Sequence, residues 1–322
     1  MSNSQPLVSI IIPTYNRADY VGKAINSVIS QTFSNWEILV WDDGSNDNTK
    51  EIISKFNDKR IFYFFDENKG VSFARNSSIG FSKGEYIAFL DSDDQWVNEK
   101  LEIQVGYLQK YQCIDLVFSN YENNNIFLGT NHDGFIQNKS GLNNLQTEKL
   151  EKNLFLINHG IPESILISNF IATDTVILRK SVLENCGLFR TDLRNGEDFE
   201  LWWRIGLNNF RFSYTDRILL QRTKPLNSLS SPDDVNYHNM IKALTICQEE
   251  AKNFNKNYND LFVNSFKRTY QGLFRYYSLS GDRKNLIKIF KNSFRYGISF
   301  KGYIFFLVGM LSPISLRKLR RV

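Results

Sequence analysis

Apolar residues fall along this chain in two alternating rhythms. Nearly unbroken runs, Val8-Ser9-Ile10-Ile11-Ile12, Ile38-Leu39-Val40-Trp41, residues 61–65 and Tyr86-Ile87-Ala88-Phe89-Leu90, are bounded by polar residues, the pattern of strands buried on both faces of a parallel sheet. Between the first two runs, Val21, Ala24, Ile25, Val28 and Ile29 recur at three- and four-residue steps, which predicts an amphipathic helix. Further helices are expected after Asn48, whose spacing to Glu51 is that of a capping box, and over residues 70–80 and 97–111. Strands are expected at 116–118 and 175–178. Gly196-Glu197-Asp198-Phe199-Glu200 then opens a helix bearing Leu201, Trp202, Ile205 and Leu207. Alternation at this pace predicts an α/β fold, a doubly wound and mainly parallel sheet with helices on both faces. Residues 120–144, polar and rich in Asn and Gly, read as an irregular insertion or a loose hairpin. Beyond the first 230 residues, Phe262, Phe266, Tyr270, Phe274 and Tyr277 recur at helical steps, so residues 231–322 are expected to form a C-terminal helical extension whose aromatic stripe is packing.

The chemistry should lie where the strands end. In open α/β sheets, ligands bind at the carboxyl ends of the strands, and the run ending at Leu90 leads into Asp91-Ser92-Asp93-Asp94 while the run ending at Trp41 leads into Asp42-Asp43-Gly44-Ser45. Asp91 and Asp93 offer hard oxygen ligands to Mg²⁺ or Mn²⁺. A calcium loop fits poorly, because Gln95 and Trp96 stand where a further ligand and the glycine belong. An acidic turn explains either cluster alone. Two clusters facing one crevice repel each other unless cations or hydrogen-bond donors stand between them.

Composition narrows the picture. The 322 residues, 42% hydrophobic and 23% charged, suit a globular chain with a sizeable core. The net charge of +5 hides an asymmetry: after Asp282 there is no acid, whereas Arg283, Lys284, Lys288, Lys291, Arg295, Lys301, Arg317, Lys318, Arg320 and Arg321 carry ten positive charges. Removing those ten from +5 leaves −5 on the first 282 residues, which argues against nucleic acid as a partner. Cys113, Cys186 and Cys247 are too few and too scattered for a disulfide framework or a zinc site, and His132, His159 and His238 are equally dispersed. Residues 1–6 lack the basic and apolar regions of a secretory signal, so a cytoplasmic protein is expected.

Taken in order, Pro13-Thr14-Tyr15-Asn16-Arg17, Trp41-Asp42-Asp43-Gly44-Ser45, Asn68-Lys69-Gly70 with Ala74-Arg75-Asn76, Asp91-Ser92-Asp93-Asp94 and Gly196-Glu197-Asp198 are similar to the motifs of the family-two glycosyltransferases with a GT-A fold. The resemblance covers residues 8–230. It implies inverting transfer of a sugar from a nucleoside diphosphate, typically a UDP-sugar, to an acceptor hydroxyl. It further implies that Pro13, Thr14, Tyr15, Arg17, Asp42, Asp43, Arg75 and Ser92 serve the donor, with Asp42 on the base. Asp91 and Asp93 would be the Asp-x-Asp pair that holds the cation, and Asp198 the catalytic base beside Glu197. The chemistry suits these residue types. A cation stabilises the charge developing on the departing diphosphate, and inversion needs a single carboxylate to take the hydroxyl proton.

Two departures stand out. Where relatives carry Tyr-Arg-x-His, this chain has Gln221-Arg222-Thr223-Lys224, leaving Arg222 and a lysine as the phosphate-facing cations. A lysine neutralises phosphate as a point charge, without the histidine's geometry. The Gln-x-x-Arg-Trp motif of processive synthases is missing, which favours one sugar per encounter. Near the end, Tyr303-Ile304-Phe305-Phe306-Leu307-Val308-Gly309-Met310-Leu311 is shorter than the roughly 20 residues a span needs. With the basic residues around it, this segment is expected to lie in an anionic membrane interface, its alternative being a last helix docked on the catalytic domain. A peripheral enzyme on the inner face of the cell membrane, acting on a lipid-linked glycan in surface polysaccharide synthesis, fits these features. The contrasting readings are a catalytically idle nucleotide-sugar binder or membrane scaffold, which would not need Asp198, and a nucleotidyltransferase, which would need a glycine-rich basic loop after the first strand.

Overall fold

The computed structural model describes residues 6–125, 130–133, 142–223, 233–254 and 257–311. The chain divides into two compact units, Met1–Ser228 and Leu229–Val322.

In the first unit, β1 (Val8–Thr14), α1 (Val21–Ile29), β2 (Trp36–Asp42), α2 (Thr49–Ile53), β3 (Ile61–Phe65), α3 (Val71–Phe81) and β4 (Tyr86–Phe89) alternate as expected. There follow β5 (Gln95–Trp96), α4 (Lys100–Lys110), β6 (Leu116–Asn125), β7 (Thr130–Asp133), β8 (Gln146–Glu151), β9 (Leu154–His159), α5 (Ile161–Ile167), β10 (Ile177–Arg179), α6 (Lys180–Cys186), α7 (Glu197–Leu207) and β11 (Phe212–Thr223). The strands form one sheet in the order β3-β2-β1-β4-β10-β6-β11-β9-β8, with β5 paired to β11 and β7 to β6. The ladders β3-β2-β1-β4 and β6-β11 are parallel, and antiparallel β10 joins them.

Both faces of the parallel block are covered, which explains its unbroken apolar runs. Side chains alternate across a strand. Val8, Ile10 and Ile12 of β1 and Tyr86, Ala88 and Leu90 at β4 join a core with Val21, Ala24, Ile25 and Val28 of α1 and Leu101, Val105 and Leu108 of α4. On the other face, Phe89 meets Phe189 at 5.4 Å and Trp202 of α7 at 6.4 Å. Trp202 and Trp203 are fully buried packing residues. Because β1, β2 and β4 run parallel, the ends of β2 and β4 flank β1 at a single sheet edge, as expected for a shared crevice.

Three local expectations need correction. The turn before α2 is not a capping box, since Asn48 makes no cap bond; Asp47 Oδ1 instead accepts the Thr49 amide at 3.0 Å. The helix expected from residue 97 begins at Lys100, because Gln95 and Trp96 are drawn into pairing with Gln221 and Leu220. The strand at 175–178 begins at Ile177, behind a 3-10 turn over Thr173–Thr175. The loose hairpin expected within residues 120–144 is present in part, since β6 runs on to Asn125 and pairs antiparallel with β7, while residues 126–129 and 134–141 lie outside the described residues.

The second unit is helical: α8 (Asp234–Asn253), α9 (Asn259–Ser280), α10 (Arg283–Ser293), a 3-10 turn (Phe294–Tyr296) and α11 (Phe300–Leu311). Asp233 caps α8 by accepting the Asn236 amide, and Asp282 caps α10 by accepting that of Asn285, each satisfying a donor the helix start leaves open. The aromatic stripe Phe262, Phe266, Tyr270, Phe274 and Tyr277 of α9 is buried. No helix among the described residues is long and apolar enough to cross a membrane.

Candidate active site

The crevice is built from the loops that leave β1, β2 and β4 and from the start of α7. Two of these loops are tied together by bonds that backbone amides donate. Asp43 N donates to Thr14 O at 2.9 Å, Asn16 N to Ser45 Oγ at 2.8 Å, Asn46 N to Asn16 Oδ1 at 2.8 Å, and Arg17 N to Thr49 Oγ1 at 3.0 Å. Gly44 turns this corner with φ +85°, and a Cβ there would meet Asn68 N at 2.9 Å, so no other residue fits without strain. Asp42, fully buried, accepts from Ser45 N and from the Tyr63 hydroxyl, both at 2.8 Å. Asp43 accepts from Lys69 N at 2.8 Å and Gly70 N at 2.9 Å, and burial lifts its carboxyl above the usual range. The buried Thr14 hydroxyl has no partner among the described residues, and Tyr15 is exposed.

Guanidinium groups stand between the carboxylates. Arg75, on α3 and almost fully buried, donates through Nη2 to Asp91 Oδ1 and through Nη1 to Glu197 Oε1, each at 2.9 Å. Burial alone would favour a neutral arginine, yet Asp91 and Glu197 hold it firmly charged. This bridge joins the loop after β4 to the first turn of α7. Arg17 Nε lies 3.4 Å from Asp93. Burial, and then the nearby Asp91, push the Asp93 carboxyl up to about 6. Ser92 is buried beside it.

Asp198 is the next residue on α7, in a helix that Gly196 opens with φ +82°. It is half-buried; its Oδ2 accepts from Asn169 Nδ2 at 3.2 Å and its Oδ1 from the Phe199 amide at 2.6 Å. Burial raises its pKa against those hydrogen bonds and Arg75, and Glu197 is raised by burial and by Asp198. A raised carboxylate is a stronger proton acceptor, as a general base requires. Behind the helix start, Arg204 grips Glu200 at 2.6 Å and the Leu188 carbonyl at 2.8 Å, and this fixes the first turn.

A further cluster brings in Asp174, which had drawn no attention in the sequence. Asp91, Asp94 and Asp174 bring carboxylate oxygens within 4.8 Å of one another. Arg222 Nε stands 3.4 Å from Asp174 and 3.8 Å from Asp94, and Thr223 N donates to Asp94 Oδ1 at 2.7 Å. Burial and then the adjoining Asp174 hold Asp94 well above the carboxylate range. Neither oxygen of the buried Asp174 accepts a hydrogen bond among the described residues. This donor set, hard oxygens with more negative charge than the arginines balance, fits a divalent cation. Asp93 lies outside the three-carboxylate group, Asp91 belongs to both arrangements, and Lys224 lies outside the described residues.

Comparison with known proteins agrees with this architecture. The family described as Glycosyl transferase family 2 matches residues 9–175. Over 206 residues the chain is 36% identical to the Escherichia coli protein named UDP-Glc:alpha-D-GlcNAc-diphosphoundecaprenol beta-1,3-glucosyltransferase WfgD, an alignment covering 63% of this chain and 71% of that one. The crystal structure of S. aureus TarS 1-349 in complex with UDP superposes with a TM-score of 0.58 at 22% identity, covering 87% of this chain and 75% of the other. The mannosyltransferase PcManGT from Pyrobaculum calidifontis, in complex with GDP-Man and Mn²⁺, gives 0.58 at 12% identity, covering 97% and 88%. At those identities the two structures attest the fold alone.

Proposed function

This chain belongs to glycosyl transferase family 2, and from that premise we propose that it moves a sugar, with inversion, from a UDP-sugar to a hydroxyl of a lipid-linked glycan in surface polysaccharide assembly. The observation that supports this most is the Arg75 bridge, which ties Asp91 to Glu197 and so brings the acids after β4 to the same crevice as Asp198. The relative's name supplies the acceptor class, a glycan on undecaprenol diphosphate, and a UDP-linked donor. A place at the inner face of the cell membrane follows from such an acceptor.

The donor's base and ribose would lie against Pro13, Thr14, Tyr15 and Asp42, with Asp43 fixing the loop, and its diphosphate near Arg17, Ser92, Arg222 and Lys224. Arg75 holds Asp91 in place. A divalent cation, Mn²⁺ or Mg²⁺, held by Asp91 and Asp93 with Asp94 and Asp174 close by, would stabilise charge on the departing diphosphate. The acceptor oxygen attacks the anomeric carbon from the face opposite the diphosphate. As that bond forms, the bond from the anomeric carbon to the phosphate oxygen breaks and its electron pair stays on the diphosphate. The hydroxyl proton passes to a carboxylate oxygen of Asp198, which Asn169 and the Phe199 amide hold in place.

The test pairs a panel of nucleotide sugars with a prenyl diphosphate-linked N-acetylglucosamine acceptor, with Mn²⁺ or with chelator, in the wild type and in Asp198→Asn. Transfer from a UDP-sugar should need the metal. The variant should lose turnover on the order of 10³-fold while binding UDP as tightly as before. UDP binding without transfer in the wild type would leave an idle binder, and equal loss of binding and turnover in the variant would remove Asp198 from the base's role.

A further inference from the structure

The last helix packs on its neighbours in the helical unit along one side and leaves an apolar face open on the other. One side of α11 is packed: Gly309 lets it approach Ser278 of α9 and Leu286 of α10, a Cβ at Gly302 would meet Phe274 of α9 at 3.1 Å, and Phe306 stacks on Phe290 at 4.0 Å. The opposite side is apolar too. Phe300, Tyr303, Ile304 and Leu307 recur at three- and four-residue steps and are exposed, Phe300 to 83%. Phe294, 63% exposed, and Tyr303 both adjoin the Phe290 ring, at 5.0 and 6.1 Å, so the 3-10 turn and α11 present one aromatic surface. Exposure of contiguous aromatics on this scale marks an interaction face.

Charge identifies the partner. On α10, Lys284, Ile287, Lys288 and Lys291 follow helical steps and are all exposed, with Arg295 and Lys301 exposed in the segments that follow. No acid occurs anywhere after Asp282. A second copy of this chain meeting it through the same face would set cations against cations. An apolar stripe rimmed by cations alone, on stems long enough to reach past it, matches an anionic bilayer.

We propose that α10, the 3-10 turn and α11 form a docking face for anionic lipid, in which Phe300, Tyr303, Ile304 and Leu307 enter the interfacial layer while Lys284, Lys288, Lys291, Arg295 and Lys301 lie at the headgroups. This deepens the membrane-side part of the proposed function and does not depend on the catalytic part. The face holds the enzyme where a lipid-linked acceptor is displayed.

The test uses the full chain with no donor or acceptor. Co-sedimentation is measured with vesicles of phosphatidylcholine alone and of phosphatidylcholine with phosphatidylglycerol, in the wild type, in Phe300→Ser with Leu307→Ser, and in Ile304→Trp. The wild type should bind the anionic vesicles selectively and release them in high salt. The double-serine variant should bind roughly tenfold or more weakly, with its unfolding midpoint and UDP affinity unchanged. In Ile304→Trp, the emission added by the introduced indole should shift to the blue on anionic vesicles and be quenched by brominated acyl chains. Equal binding to both vesicle types, or no loss in the double-serine variant, would overturn the proposal. So would a concentration-dependent dimer that the serines dissolve, or a fall in unfolding midpoint without a vesicle effect, since each assigns the stripe to protein packing. Failure of the catalytic reading would show elsewhere, as absent turnover on a soluble acceptor analogue.

Discussion

The crevice and the C-terminal helices handle charge in opposite ways. At the sheet edge, buried and half-buried charges of both signs stand against one another: Asp91 and Glu197 on Arg75, Asp93 on Arg17, Asp94 and Asp174 near Arg222. On α10 and α11 the charges are of one sign and lie in water, and it is the apolar side chains between them that are exposed. Desolvated charges interact strongly and perturb one another's protonation, whereas solvated ones contribute to stability weakly and act through their summed field. The first arrangement suits chemistry on a charged donor. The second suits adhesion to a charged surface. Mutations should therefore have large, local effects in the crevice and small effects on stability in the helices.

Arg75→Met is the sharpest challenge to that contrast. It leaves Asp91 and Glu197 without their shared cation, and breaking a buried pair from one side costs about 3 to 5 kcal/mol. Chemical denaturation should show a lowered midpoint for the first unit, with Asp91 and Asp198 no longer tied to one crevice. A midpoint within error of the wild type would mean that water or a rearranged lysine serves the carboxylates equally well, and the bridge would lose its significance.

Lys100 is a second test of buried charge. It is fully buried, lies 4.9 Å from the Trp96 ring and donates to Gln104 and to the Thr175 carbonyl, and burial pulls its pKa down to about 7. The unfolded lysine titrates near about 10.4. Folding therefore favours the neutral amine, and the stability this group allows is complete above about pH 10 and lost as pH falls towards 7. At about 1.4 kcal/mol for each pH unit, the loss across that window is on the order of 4 to 5 kcal/mol. Lys100→Met should flatten stability between about pH 7 and 10, whatever its effect on the absolute value. An unchanged slope would show that the lysine stays charged and hydrated in the fold.

These sites differ in how far the sequence revealed them. The runs at β1, β2 and β4 were legible because burial on both faces removes alternation and leaves a continuous apolar signal. Asp91 and Asp93 followed from their place after such a run, and Asp198 from the resemblance around Gly196. Asp174 carried no signal of its own. It is one aspartate between two threonines, and its burial is tertiary: Trp96 Nε1 donates to its carbonyl at 3.0 Å, and Gln104 and Lys100 reach the carbonyl of Thr175. The long strand β11 was hidden by register shifts between Thr215, Ile218 and Leu220, with polar Asp216 and Arg217 at the irregularity. The β8 and β9 hairpin was hidden by exposed, polar β8, whose composition does not differ from a loop's. On the helical side, the basic, acid-free composition was plain from counting. That α11 packs on one side and stays apolar on the other required knowing that Gly302 and Gly309 face its neighbours.

The smallest predicted effect separates the two regions most cleanly. Lys288→Gln with Lys291→Gln removes two of the exposed positive charges on α10 without disturbing Leu286, Ile289 or Ser293, its buried residues. Neither lysine has a carboxylate partner among the described residues within the distance of an ion pair, so stability should change by less than about 0.5 kcal/mol. Relief of repulsion along the helix makes a slight gain more natural than a loss. Thermal unfolding in low salt and again in high salt checks this, because a gain produced by removing like charges shrinks as salt screens them. A loss above about 1 kcal/mol that persists in high salt would show that these lysines pack or pair within the fold, and the division between charges that build the crevice and charges that serve a surface would no longer hold at α10.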